Sequence, residues 1–131
     1  MNKIAEFFVS RYRAFGHAFR GLWHVLRTQR NAWVHALATS LAILLAFWLR
    51  LPARDWAVLF VTIALVWTAE FINTALEAVV DLASPQHHPL AKVGKDVGAA
   101  AVLLAALAAI LVGLLVLGPP LWEKLQGIFG F

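Results

Sequence analysis

The sequence predicts an all-α integral membrane protein with an N-terminal amphipathic surface helix and three transmembrane helices. Hydrophobic residues make up 62% of the 131 residues and charged residues 14%, and the mean hydropathy is +0.77. Soluble domains are closer to half apolar and a quarter charged, so this chain has too little polar surface to be stable in water. Residues 1–131 are therefore predicted to form a single membrane domain.

Three apolar segments are long enough to cross a bilayer. About twenty residues rising 1.5 Å each cross a hydrocarbon core of roughly 30 Å. Trp33 and Trp48 lie near the ends of the first segment, where tryptophan anchors helices at the membrane interface. The third segment is predicted to end at Pro119 and Pro120, because proline interrupts helices. The spans are predicted at residues 31–50, 56–82 and 93–117.

Residues 4–29 are predicted to form the surface helix. Apolar side chains recur every three or four residues from Phe8 to Leu26, and a basic stripe lies about a quarter turn away. Such a helix lies in the headgroup plane, as a membrane anchor or a phosphate-binding element, and the two roles are compatible. Six basic residues spread over about thirty positions precede the first span, which is not the pattern of a cleavable signal peptide. The basic stripe consists of Arg13, His17, Arg20, His24 and Arg27.

The uneven placement of basic residues predicts the orientation. They are concentrated before the first span and between the second and third spans, so the N-terminus and the loop at 84–92 are predicted on the cytoplasmic side. Nucleic acid is not expected as a partner. The chain contains no cysteine, which excludes disulfides, thiolate metal sites and cysteine nucleophiles.

The second span carries carboxylates that are unusual in an apolar helix. Seven residues advance about 700°, close to two turns, so Glu70 and Glu77 share one helical face. Measured from Trp56 along the helix axis, they lie roughly 21 Å and 31 Å away, near the cytoplasmic interface. A charge at the bilayer centre costs about 3 kcal/mol, so such groups face protein or water and often mark a functional site. We call this face the polar seam; it consists of Glu70, Asn73, Thr74, Glu77 and Asp81.

The polar seam fits metal-assisted phosphoryl transfer at the depth of lipid headgroups. One or two carboxylates commonly hold Mg²⁺ together with substrate phosphates, and another carboxylate can accept the proton of an attacking hydroxyl. No glycine-rich GxxxxGK phosphate loop occurs in the chain. Further polar residues are expected on the same side of the membrane: Gln86, His87, His88, Lys95 and Asp96.

Small residues form a ridge along the third span, which predicts close helix packing and a homo-oligomer. The ridge consists of Gly94, Gly98, Ala101, Ala105 and Ala108.

The sequence AEFINTALEAVVD, followed by SPQHHPLAKVGKDVGAAAVLLAA, resembles the prokaryotic diacylglycerol kinase family, which includes undecaprenol kinases. Weaker similarity at AFRGLWHVLRTQRNAWVH extends the resemblance over most of the chain. It implies a homotrimer in the bacterial inner membrane, with its active site on the cytoplasmic face. It also implies transfer of the γ-phosphoryl group from ATP to the hydroxyl of a membrane lipid, either undecaprenol or diacylglycerol.

The resemblance implies roles for individual residues. Glu70 is expected to be the general base, Glu77 a Mg²⁺ ligand, and Asn73 a contact to nucleotide and metal. The expected nucleotide-binding residues are His17, Glu70, Asn73, Glu77, Gln86, His87, His88, Lys95 and Asp96. The expected lipid-binding residues are Arg13, Arg20, Gly21 and Ala99.

Two positions differ from the family pattern. Gln29 stands where many members have a glutamate that shares metal binding, so a weaker hold on Mg²⁺ is expected. His17 stands where a tyrosine is common, and histidine can also stack on a base. Neither change affects Glu70, so activity is expected.

Two other functions compete with the lipid kinase. In a small oligomeric cation channel or transporter subunit, the seam would line an ion path, but residues 57–67 are almost purely apolar, unlike a pore-lining span. In a non-catalytic membrane scaffold, the seam would only specify how protomers pack.

Overall fold

The computed structural model describes residues 2–130 and consists of four α-helices: α1 (Lys3–Thr28), α2 (Arg30–Leu49), α3 (Ala53–Ala83) and α4 (Pro89–Phe129). No strand occurs within residues 2–130. Three helices, α2, α3 and α4, have the length and hydropathy needed to cross a membrane. The prediction of an all-α membrane protein is confirmed.

Helix α1 separates its polar and apolar side chains and leaves most of them exposed. Asn2 caps its first turn, and Val25 is its one buried side chain. At Gln29 the backbone is extended, with φ −97° and ψ 119°, which ends α1 and starts α2 in a new direction. This break positions the C-terminal part of α1 beside α2 and α3.

The connection between α2 and α3 is a tight turn built on Arg50. Its backbone is left-handed, with φ 57° and ψ 49°, and its N–H donates to Phe47 O at 3.1 Å. Leu51 N–H donates to Ala46 O at 3.2 Å, so the last carbonyls of α2 are satisfied. The side chains of Ala46, Leu51 and Leu59 form a small buried core at this end of the bundle. The turn therefore fixes α2 and α3 as antiparallel neighbours.

Helix α4 continues through Pro119 and Pro120 to Phe129, so the prediction that it ends at residue 117 is wrong. The fixed φ of proline is compatible with an α-helix, and the cost is two missing backbone hydrogen bonds and local crowding. Contacts of the C-terminal segment offset that cost. Lys124 Nζ donates to Trp48 O at 2.5 Å and lies 4.3 Å from the centre of the Trp48 ring. With 41 residues, α4 is about 60 Å long and exceeds the thickness of a hydrocarbon core.

The most extensive helix interface lies between α3 and α4. Gly98 and Ala105 of the small-residue ridge are buried there, whereas Ala101 and Ala108 line an open groove beside α3. At Gly98 a Cβ atom would overlap Asn73 Oδ1 and would lie 3.1 Å from a Leu76 methyl group. The absence of a side chain at residue 98 thus permits α4 to approach the polar seam.

We expect Gly98→Ala to lower the free energy of unfolding by about 1–3 kcal/mol, because the added methyl group must displace Asn73 or separate the helices. Thermal unfolding in a single detergent, followed by circular dichroism, measures the change. Gly113→Ala is the matched control, since its Cβ would meet nothing within 4 Å and alanine favours a helix. An unchanged midpoint for Gly98→Ala would contradict this view of the interface.

Candidate functional site

The polar seam of α3 is turned into the helix bundle. Glu70 is 1% exposed, and Asn73 and Thr74 are 7% exposed, whereas Glu77 is half-buried. Glu70, Asn73 and Thr74 are the buried polar side chains of residues 2–130. Because an apolar bundle offers little solvation, each of these groups depends on its neighbours for polar contacts.

Glu70 faces a histidine of α2. His35 Nε2 lies 3.7 Å from Glu70 Oε2, and the His35 side chain is 12% exposed. Both atoms are buried without a hydrogen-bond partner. His35 is not among the site residues predicted from the sequence, although an ionisable side chain in an apolar span is the same signal that identifies Glu70.

Beside this pair, α2 and α3 are linked through Trp67. Trp67 Nε1 donates to Thr39 Oγ1 at 3.2 Å. The Trp67 ring also packs edge-on against His35, with 6.3 Å between ring centres and 67° between ring planes. Thr39 lies one turn after His35, and Trp67 lies three residues before Glu70. The Trp67–Thr39 hydrogen bond and the His35–Glu70 contact therefore join α2 and α3 about one helical turn apart.

Asn73 and Glu77 form a second polar pair one turn further along α3. Asn73 Nδ2 donates to Glu77 Oε1 at 3.1 Å, and Asn73 Oδ1 is buried without a partner. Thr74 contributes differently, because its hydroxyl donates to the backbone carbonyl of Glu70 at 2.9 Å. Asn73 Oδ1 packs against Gly98 of α4, so the group that suits a hard cation such as Mg²⁺ is the half-buried Glu77 carboxylate, which the Asn73 amide orients.

Other candidate metal ligands are not gathered around this pair. Within residues 2–130 no group of three or more His, Cys, Asp or Glu side chains has the arrangement of a metal site. Gln29 is half-buried at the α1–α2 junction, and no hydrogen bond joins it to Glu77. Mg²⁺ sites often use one or two protein carboxylates and complete the shell with phosphates and water, so the Glu77 carboxylate still fits this ion.

A cleft of about 410 Å³ lies where α3 ends and α4 begins, and we call it the loop cleft. Lys95 Nζ pairs with Asp81 Oδ1 at 2.7 Å, across α3 and α4. Lys92 Nζ pairs with Asp96 Oδ2 at 2.6 Å. Exposed ion pairs of this kind contribute about 1 kcal/mol or less, so their members can exchange partners for a ligand at little cost. The polar lining of the loop cleft includes Asp81, Gln86, His87, His88, Lys92, Lys95 and Asp96.

The histidines of the loop cleft differ in their surroundings. His88 Nδ1 accepts a hydrogen bond from Leu90 N at 3.2 Å and thereby caps α4. His87 is exposed, as is Gln86, whose backbone carbonyl accepts from Ser84 Oγ at 3.1 Å. The cleft thus presents two imidazoles and two lysines on one side of the bundle, one helical turn beyond Glu77.

Three members of the basic stripe of α1 lie apart from the seam. Arg13, His17 and Arg20 are exposed, and an Arg20 guanidinium nitrogen lies 2.7 Å from His17 Nδ1. Gly21 and His24 lie closer to the seam, in a groove between α1 and α3 that Thr74 also lines. Ala99 is exposed on α4. A single chain therefore brings the loop cleft and His24 of the basic stripe to the seam, but not Arg13, His17 or Arg20.

Comparisons with known proteins agree on one family. The family model described as prokaryotic diacylglycerol kinase matches residues 16–117. The undecaprenol kinase of Bacillus subtilis is 38% identical over 120 residues, which cover 92% of this chain and 94% of the relative. The diacylglycerol kinase of Escherichia coli K12 is 34% identical over 106 residues, covering 76% of this chain and 81% of the relative.

A longer relative is similar over the same region. The diacylglycerol kinase of Synechocystis is 47% identical over 109 residues, which cover 82% of this chain and 62% of the relative. This chain therefore spans less than two thirds of that protein. The matched range of the family model includes the whole polar seam and the loop cleft, whereas Arg13 lies before it.

We expect Trp67→Phe and Thr39→Val each to lower the free energy of unfolding by about 1 kcal/mol, because each removes one partner of the α2–α3 hydrogen bond. The double variant is expected to lose about as much as either single variant, since both remove the same interaction. Denaturation in mixed micelles measures all three. Thr62→Val is the control, because its hydroxyl bonds only to Val58 O of its own helix. Strictly additive losses would show that the two residues act independently.

Proposed function

This chain belongs to the prokaryotic diacylglycerol kinase family, and we propose on that premise that it transfers the γ-phosphoryl group of ATP to the hydroxyl of a membrane lipid alcohol. As a member of the family it is a lipid kinase. The observation that carries the proposal is a buried carboxylate, Glu70, on the same helical face as the Asn73–Glu77 pair. The burial of Glu70 argues against a cation channel, which needs carboxylates open to water.

In the proposed reaction Glu70 is the general base. The lipid oxygen forms a bond to the γ-phosphorus, and the bond between that phosphorus and the β–γ bridging oxygen breaks, releasing ADP. The hydroxyl proton passes to the Glu70 carboxylate as the lipid oxygen attacks. Its depth in the bundle supports this role, because a proton transfer at Glu70 is kept away from open water.

Glu77 is proposed to hold Mg²⁺ through its carboxylate, with Gln29 as a weaker second ligand. Asn73 is proposed to help hold metal and nucleotide by orienting that carboxylate through its Nδ2. When bound, Mg²⁺ neutralises charge on the phosphates. Glu77 lies about two turns from Glu70 along one face, so the separation between base and metal ligand is set by the helix itself.

The nucleotide is proposed to occupy the loop cleft and to contact Gln86, His87, His88, Lys95 and Asp96, with His17 stacking on the base. The two lysines and the first turn of α4 support this, because cationic groups and helix N-termini attract phosphates. The seam connects the cleft to Glu70 along α3, since Glu77 and Asp81 lie between them.

The lipid is proposed to contact Arg13, Arg20, Gly21 and Ala99. Undecaprenol is our first candidate, because a relative matched over nearly its whole length is named undecaprenol kinase.

We further propose a homotrimer in the bacterial inner membrane, with the N-terminus and site on the cytoplasmic side. The open small-residue groove of α4 supports an oligomer, because another helix can approach it closely.

We expect purified protein in mixed micelles to transfer label from γ-labelled ATP to undecaprenol, with diacylglycerol tested in parallel. Glu70→Gln should lower turnover at least about 100-fold, because an amide cannot accept the proton. Glu123→Gln is the matched control, since Glu123 is an exposed carboxylate near the other end of α4.

Circular dichroism of Glu70→Gln shows whether its helices are retained. Wild-type turnover in this variant would remove Glu70 as the base. Absence of label on both lipids would contradict the proposed reaction.

We expect Gln29→Glu to lower the Mg²⁺ concentration for half-maximal activity about three- to tenfold, because a carboxylate adds a negative ligand to the site. Titration of Mg²⁺ at fixed ATP and lipid measures the shift. Gln126→Glu introduces the same charge near the C-terminal end of α4 and should leave the titration unchanged. Identical Mg²⁺ dependence in Gln29→Glu and wild type would exclude Gln29 from the metal site.

A further inference from the structure

We propose that His35 is a positioning residue that holds the Glu70 carboxylate ready for proton transfer. The inference rests on the proposed role of Glu70 as the base. Its first support is that His35 Nε2 and Glu70 Oε2 face each other at 3.7 Å, and neither atom has another partner. Buried polar atoms are rarely left unpaired, because their lost hydration is then not replaced. The two atoms therefore complement each other.

The distance allows a direct hydrogen bond after a small adjustment. A strong N–H···O bond spans up to about 3.2 Å, so a side-chain rotation that closes the gap by about 0.5 Å is sufficient. With its proton on Nε2, His35 donates to Oε2 of Glu70. The other carboxylate oxygen, Oε1, then remains available for the proton of the lipid hydroxyl. His35 thus fixes the orientation of the carboxylate and takes no part in the proton transfer itself.

The surroundings of His35 hold its ring in place. The edge-on contact with Trp67 limits rotation of the imidazole, and Trp67 is itself tied to Thr39 of α2. The other side of His35 lines an apolar cleft between α2, α3 and α4, with alanines and branched aliphatic residues. Glu70 therefore faces a donor on the neighbouring helix α2. The ring of that donor is held by Trp67, which the hydrogen bond to Thr39 holds in turn. Such preorganisation is what a catalytic base needs, because misplacement by about 1 Å can cost about 100-fold in rate.

A purely structural role makes different predictions. If His35 only joined α2 to α3, its replacement would reduce stability and activity together, and a donor in its place would not matter. If His35 acts through Glu70, its replacement should affect turnover more than ATP binding. A replacement that can still donate to Oε2 should restore much of that turnover.

The test compares His35→Leu, which removes the donor, with His35→Gln, whose amide nitrogen can donate at a similar reach. We expect His35→Leu to lower kcat about 10- to 100-fold while KM for ATP changes less than about twofold. His35→Gln should recover kcat to within about fivefold of wild type. Ser40→Ala is the control on the same helix, since Ser40 is exposed and bonds only to Ala36 O, and it should retain wild-type kcat.

A second comparison places His35→Leu in the Glu70→Gln background. No further loss of residual turnover is expected there, because the group on which His35 acts is already disabled. If His35→Leu does not fold, His35→Asn replaces it in both comparisons, because its shorter amide cannot reach Oε2.

Wild-type kcat in His35→Leu, equal losses in His35→Leu and His35→Gln, or a further tenfold loss in the Glu70→Gln background would each overturn the proposal. The two proposals fail in different ways. Full turnover in Glu70→Gln removes the base itself, whereas an inactive Glu70→Gln with a fully active His35→Leu removes only His35.

Discussion

The burial of a carboxylate in an apolar helix bundle is the constraint on which the rest of this structure depends. A bilayer offers no water to solvate Glu70, so its polar contacts must come from the helices themselves. His35 of α2 faces its side chain, and Thr74 bonds to its backbone carbonyl. The same helices supply the Trp67–Thr39 bond at the neighbouring level. Polar contacts thus join α2 and α3 at the level of Glu70, while apolar packing dominates at the Leu51 end.

The site divides into a buried part and an open part along α3. Glu70 and Asn73 lie inside the bundle, Glu77 is half-buried, and Asp81 is exposed at the rim of the loop cleft. This gradient suits an enzyme with one water-soluble and one membrane-bound substrate, as proposed for this lipid kinase. A single continuous helix joins the two environments, so the distance between them is fixed by helix geometry.

The sequence predicted the helices and the polar face of α3 because both follow from local periodicity. It did not predict the contact between His35 and Glu70, which depends on how two distant segments pack. The end of α4 was predicted wrongly at Pro119, because the rule for proline considers only the helix itself, and the bond from Lys124 to Trp48 comes from another helix. Likewise, periodicity identified an apolar stripe on α1, but the residue buried there is Val25, which is not part of it. The stripe consists of Phe8, Tyr12, Phe15, Phe19, Leu22 and Leu26.

The Lys124–Trp48 contact has a mechanical consequence. Near one end of the bundle it attaches α4 to α2, and near the other end the Lys95–Asp81 pair attaches α4 to α3. Lys95 and Lys124 lie about 40 Å apart along α4. The Lys95–Asp81 pair is exposed and therefore weak. Release of that pair by a ligand in the loop cleft would leave α4 attached to α2 at its opposite end through Lys124.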